Sequence, residues 1–244
     1  MRAALVFALL ALCACQPAEP NRAQAVVGAV LLDGNGGPPL SDSAVVILGD
    51  RIQAAGRRTE TPMPPDTNIV DGSGQFLVPA LVDAGAAKLG RISTLAEARA
   101  LVAGGGKGFI GMIGDTDDLS PDFVSELRNL RIVVAPCLGS AGAALEIDKR
   151  NTQRLFAAGV PIAAAAGPAG LLRETELLAE AGIPPLDVIV AATRNSAMAL
   201  GQFASRGSIE AGKRADLLLV SANPGVDIRN LAQVARHMEN GVWQ

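Results

Sequence analysis

Histidine is all but missing: of 244 residues only His237 carries an imidazole. That excludes any metal centre built on several imidazoles, because tetrahedral N/S sites of that kind draw two or three histidines from one chain. Tyrosine is absent, tryptophan occurs once and aromatics make up 3% of the chain. Stacking platforms for nucleobases and aromatic cradles for sugars are therefore not expected. Charged residues amount to 18% with a formal net charge of −3, so there is no basic footprint and nucleic acid is not a partner. Three cysteines occur, at 13, 15 and 137. With the first two inside the leading segment, one thiol remains and no intrachain disulfide framework can form.

What is present is apolar. Hydrophobic residues are 49% of the sequence, with 27 glycines and 15 prolines, ample for a buried core in one or two domains. Met1–Arg2 and the ten-residue apolar run 3–12 (AALVFALLAL) have the form of a signal peptide; the run is too short for a membrane-spanning helix, which needs about 20 residues. Its end, Leu12-Cys13-Ala14-Cys15, resembles a bacterial lipobox with Cys15 as the lipidated residue. The expectation is a signal peptide at 1–14, a tether at 15–24, and a lipoprotein of a Gram-negative envelope. It would face the periplasm and be held, in the outer membrane, by several acyl chains, since one chain binds only marginally.

Downstream, 25–33 (AVVGAVLLD), 43–48 (SAVVIL) and 51–55 (RIQAA) read as strands, the last two joined by Gly49–Asp50 as a tight hairpin turn. A proline-rich stretch at 61–66 precedes a strand at 68–71. Beyond it, apolar spacing and capping signals place helices at 94–103, 121–130, 147–158, 171–181 and 185–200. Strands are expected at 76–83, 108–113, 131–136 and 160–166. Ser120 before Pro121 is an N-cap followed by proline at the first helical position. The run Gly104–Gly108 (GGGKG) lacks phosphate-loop spacing and sits between helix and strand, so it reads as a C-cap turn. Alternating strands and helices argue for parallel β/α packing.

Four stretches carry a resemblance. QFLVPALVDAGAA at 75–87 is similar to the first barrel strand of the amidohydrolase superfamily, which reads VPG-[LF]-[IV]-D-x-H-x-H; Pro79, Leu81, Val82 and Asp83 fit. GSIEAGKRADLLL at 207–219 resembles the segment that returns that family's chain to its N-terminal sheet. NTQRLFAAGVPIAAAAG and LLRETELLAEAGIPPLDVIVAATRNSAMALG resemble the last third of an imidazolonepropionase-like metal-dependent hydrolase. The resemblance implies an α/β fold: a composite β-sandwich from 25–75 and 204–244, around a (β/α) TIM-type barrel at 76–203. About four β/α units are countable, where a full barrel has eight strands in about 250 residues, so the barrel is expected to be truncated.

The resemblance also implies zinc, a water activated on it, and hydrolysis of carbon–nitrogen bonds. The ligand positions have changed: Gly85 and Ala87 stand at the two histidines of the first strand, Gly167 at the metal-binding aspartate, and Leu172 at a later histidine. No cofactor is therefore expected. The favoured expectation is a pseudoenzyme with a binding or scaffolding role, its half-barrel edges covered by a second copy or a partner chain. The alternative is a residual hydrolase of a peptide or non-peptide C–N bond with an oxygen-ligated metal at Asp83, Asp115 and Asp117, Asp83 being the one catalytic candidate. Cys137, beyond the third strand, reads as a small buried residue, His237 as a structural one, and Asp216 as paired with backbone or Arg214.

Overall fold

The structure, a computed structural model, describes residues 22–244; the signal peptide, Cys15 and most of the tether lie outside them. Strands β1 (Gln24–Val27), β2 (Val30–Leu31), β3 (Ser43–Leu48), β4 (Arg51–Arg57), β5 (Asn68–Asp71) and β6 (Phe76–Pro79) come first. After them come β7 (Gly90–Arg91), α1 (Leu95–Ala103), β8 (Gly108–Ile110), α2 (Pro121–Asn129), β9 (Val133–Ala135) and α3 (Leu145–Ala157). The chain ends with α4 (Leu171–Glu180), α5 (Pro185–Val190), α6 (Ser196–Ala199), β10 (Leu217–Val220), β11 (Val234–Glu239) and β12 (Val242–Trp243).

Two sheets make the β module, ordered β4-β3-β1-β5 and β12-β11-β10-β6-β2. They share one core, with Val26, Val45, Ile47 and Val70 from the first meeting Leu31, Leu77, Leu217, Leu219 and Met238 from the second. Both chain ends are thus committed to a single sandwich, since β10 and β11 from the C-terminal part hydrogen-bond beside β6. The β3–β4 turn has Gly49 at φ 62°, as a two-residue hairpin requires.

The expected first barrel strand, 76–83, is divided between layers. Phe76–Pro79 pairs antiparallel with β10 and parallel with β2, inside the sandwich. Its alternate side chains serve different cores: Leu77 faces the sandwich, and Val78 belongs to the larger cluster around Phe109, Phe123 and Leu178. The run is apolar throughout because this sheet is covered on both faces. Only 80–84 reaches the β/α layer, where the Ala84 N–H donates to the Ala164 carbonyl at 2.9 Å.

That layer is a short parallel sheet, β7-β8-β9. Beside β9 runs 161–164, joined by the Val134–Ile162 bridge and by Ala163 N–H to Val134 O at 2.8 Å; the strand expected over 160–166 is thus an extended segment with one bridge. The resulting order is β7, β8, β9, 161–164, 82–84, and no barrel closes among the described residues. Helix starts follow the sequence signals. Thr94 and Glu97 form a reciprocal capping box on α1, and the Ser120 side chain accepts from Phe123 N–H ahead of Pro121. Gly104 is the C-cap of α1 and Gly105 takes φ 80°.

The helix expected over 185–200 contains a wide turn at Ala191–Asn195 between α5 and α6. Wide turns leave main-chain carbonyls without their usual helical partners. Here those of Ala191 and Ala192 accept from Ala164 N–H (3.2 Å) and Val82 N–H (2.7 Å), pinning 161–164 and 82–84 to the helix. The stretch ENGVW at 239–243 is a hairpin turn: Asn240 and Gly241 have φ 49° and 78°, the double positive-φ pair that an Asn-Gly turn favours.

Candidate functional site

The C-terminal ends of a parallel sheet are where a β/α layer gathers chemistry. Here that rim holds Asp83, the turn after β9 and the loop 165–170. Asp83 is exposed. Its Oδ1 accepts from Gly85 N–H at 2.7 Å and Ala166 N–H at 2.8 Å, so the carboxylate links one edge segment to its neighbour's loop.

Of the positions expected to have lost ligands, the two glycines are crowded, Gly85 by a side chain and Gly167 by backbone. A Cβ at Gly85 would lie 2.9 Å from Asp83 Oδ1, and one at Gly167 would lie 2.8 Å from the carbonyl carbon of Gly139. The turn after β9 thus occupies the space a residue-167 side chain would need. Ala87 is part-buried beyond the short helical turn that Asp83 caps, and Leu172 is 42% exposed at the start of α4.

Asp115 and Asp117 do not join Asp83. Asp115 Oδ1 accepts from Leu95 N–H at 2.9 Å, at the head of α1, and Asp117 pairs with Arg150 at 3.0 Å. Among the described residues, no group of three or more His, Cys, Asp or Glu side chains could hold a metal ion. His237 lies in β11, opposite Leu218. Asp216 accepts from Asn240 N–H at 2.8 Å, with Arg214 Nε at 3.2 Å, the structural pairing its sequence context suggested.

Two acids that the sequence did not single out are buried here. Glu174, only 1% exposed, accepts from Leu138 N–H at 2.8 Å and Gly139 N–H at 2.9 Å. Burial raises its carboxyl above the ordinary range, the two N–H donors oppose that shift, and the nearby Asp83 charge reinforces it. The turn it clasps begins at Cys137, which adopts the left-handed conformation (φ 53°), at a cost of about 1–2 kcal/mol. A buried carboxylate on two successive N–H groups compensates that strained turn.

The second acid is Asp148 on α3, 5% exposed, with Oδ1 unpartnered. Desolvation raises its pKa to about 6. It lines a cavity of about 240 Å³ at the ends of β7–β9, together with Arg91, Met112, Cys137 and Ser140. One turn along α3, the buried Asn151 donates to the carbonyls of Ile113 (2.7 Å) and Thr116 (2.8 Å), fixing the loop that walls this cavity. Glu174 was legible as an acid at the position from which Leu177 and Leu178 continue the buried stripe. Asp148 could have been found as a polar residue sharing the face of Leu155.

Zinc does not fit this rim. Asp83 and Glu174 are committed to backbone N–H groups, a side chain at 167 would meet the Gly139 backbone, the one histidine is in the β module, and among the described residues no three His, Cys, Asp or Glu side chains converge.

The architecture is therefore that of a mixed α/β protein in which a two-sheet module formed by both chain ends carries a small parallel β/α layer. Residues 137–242 match the sequence model of the amidohydrolase family. No curated protein matches the sequence. Among solved structures, the chain is similar to molinate hydrolase, with a TM-score of 0.77, 13% identity and coverage of 92% of this chain and 95% of that one. It is also similar to a Xaa-Pro dipeptidase with methionine bound in its active site (TM-score 0.68, 13% identity, 91% and 99% covered). A third is the A. niger ochratoxinase (TM-score 0.68, 14% identity, 91% and 95% covered). At such identities the likeness is one of fold.

Proposed function

We propose that this chain is a non-catalytic relative of the amidohydrolases, with a truncated barrel, that binds or scaffolds rather than hydrolyses. The observation that carries this reading is steric: the turn after β9 stands where a residue-167 side chain would project. Asp83, the one motif acid retained, serves as a backbone acceptor. Activation of water by zinc needs a fixed set of first-coordination ligands with an open position, and no such set converges here. The hydrolases among its structural neighbours make C–N bond hydrolysis the activity from which this chain departs.

Attachment to the envelope through lipidated Cys15 belongs to the same proposal, as does a second copy or partner chain along the open edges of the β/α layer at β7 and 82–84. Unpaired edges invite such cover.

Metal analysis of the full-length protein, purified in detergent without chelator, is the direct test. Less than 0.1 equivalent of divalent metal and no turnover of N-acyl amino acids or dipeptides is the expected result. One equivalent of metal that disappears in Asp83→Ala would establish the hydrolase reading instead. Light scattering should give more than one chain per particle; a monodisperse monomer removes the edge-cover proposal. Cys15→Ser should shift the protein from the membrane to the soluble envelope fraction.

A further inference from the structure

The cavity at the ends of β7–β9 pairs two unlike features. Asp148, 5% exposed, lines it with an Oδ1 that is buried and has no hydrogen-bond partner among the described residues. The basic side chains nearest to it in sequence are engaged elsewhere: Lys149 with Glu146 and Glu180, Arg150 with Asp117, and Arg154 with the Asp117 carbonyl. A buried, unpaired carboxylate costs several kcal/mol unless it is neutralised or partnered. Proteins keep such local violations where a site needs them. In the same lining stands the exposed Arg91. Ile92, Ile110 and Met112 belong to the same lining, giving it an apolar part.

We propose that this cavity binds a small ammonium carboxylate, its ammonium held by Asp148 and its carboxylate by Arg91. The volume of about 240 Å³ is enough for a short amino acid. Charge and hydrogen bonding agree on the polarity. An ammonium has three donors and no acceptor, which suits a carboxylate lacking donors, and a guanidinium presents a fork that matches a carboxylate. An amine without an anionic end would satisfy only Asp148 and would face Arg91 as a like charge. The raised pKa of Asp148 is consistent with a group waiting for a cation, because a bound ammonium would favour the ionised form. The assignment specifies the binding half of the function proposed above. Its test is independent of that reading, since affinity is read without turnover or metal.

Calorimetric titration of the full-length protein in detergent with the series from 3-aminopropanoate to 6-aminohexanoate is the experiment. One chain length should bind, with butylammonium and butanoate at least ten-fold weaker. Asp148→Asn should lose at least ten-fold for the amino acid and for butylammonium. Arg91→Met should lose affinity for the amino acid and leave that for butylammonium unchanged. Removal of a buried unpaired charge is expected to raise the melting temperature of Asp148→Asn, so its loss of binding cannot be ascribed to unfolding. Absence of binding across the whole series, butanoate binding as tightly as the amino acid, or unchanged affinity in Asp148→Asn each overturns the proposal.

Discussion

At the scale of single residues, the two buried acids behave in opposite ways. Glu174 is integrated: both its oxygens accept main-chain N–H groups of the turn after β9. Glu174→Ala should destabilise the protein by about 2–3 kcal/mol, because two buried donors would lose their acceptor; chemical denaturation midpoints would show it. Asp148 is not integrated, and its carboxyl titrates at about 6 against an ordinary 3.8. A carboxyl whose folded pKa is raised favours the folded state in its protonated form. Its contribution is therefore best below about pH 4, falls as pH rises to about 6, and stays at its minimum above. Asp148→Asn should gain on the order of 2 kcal/mol at pH 7.5 and close to nothing at pH 3.5. Equal gains at both pH values would show that the ionised group carries no penalty. Gly167 belongs to this scale too: Gly167→Asp, which puts an acid where the resemblance in sequence leads one to expect it, should destabilise through contact with Gly139 and confer no metal binding.

At the scale of elements, short-range signals were the most legible. The Ser120–Pro121 start and the glycine stop after α1 are written in a few adjacent residues and operate as read, and the Thr94–Glu97 box found in the structure is just as local. Thr94→Ala should cost about 1 kcal/mol, measurable as a lowered melting temperature. Elements defined by what lies across from them were less legible. The run 76–83 looks like one strand because both its faces are apolar, yet whether those faces meet a second sheet or a helix layer is a property of distant residues. The Asn240–Gly241 turn shows the same limit. Its signal is local, but its consequence is not, since a Cβ on Gly241 would come within 1.9 Å of the Gly49 carbonyl oxygen. Gly241→Ala should therefore cost more than the roughly 1 kcal/mol of a positive-φ site. About 2–4 kcal/mol is expected, because the C-terminal hairpin would be pushed off the β3–β4 turn.

At the scale of the whole molecule, the two chain ends are interdependent. β10 is hydrogen-bonded on both sides, by β6 and β11, and supplies Leu217 and Leu219 to the sandwich core. Deleting residues 217–244 should leave a chain that gives no cooperative unfolding transition, which calorimetry would reveal. The β/α layer is anchored by the middle sheet through Val78 and by the wide turn in the helix 185–199.

By itself the sequence determined the negative chemistry and the local structure. One histidine precludes a multi-imidazole site, and caps, turns and apolar periodicity are set by neighbours a few residues apart. The tertiary structure alone decided which layer receives Phe76–Pro79, that the residue-167 position is filled by the turn after β9, and that Asp148 lines a cavity without an ion-pair partner. The physical reason is that burial, unlike capping or turn geometry, depends on residues far away in the chain. A carboxylate reads the same in sequence whether water, a backbone N–H or an empty cavity stands opposite it.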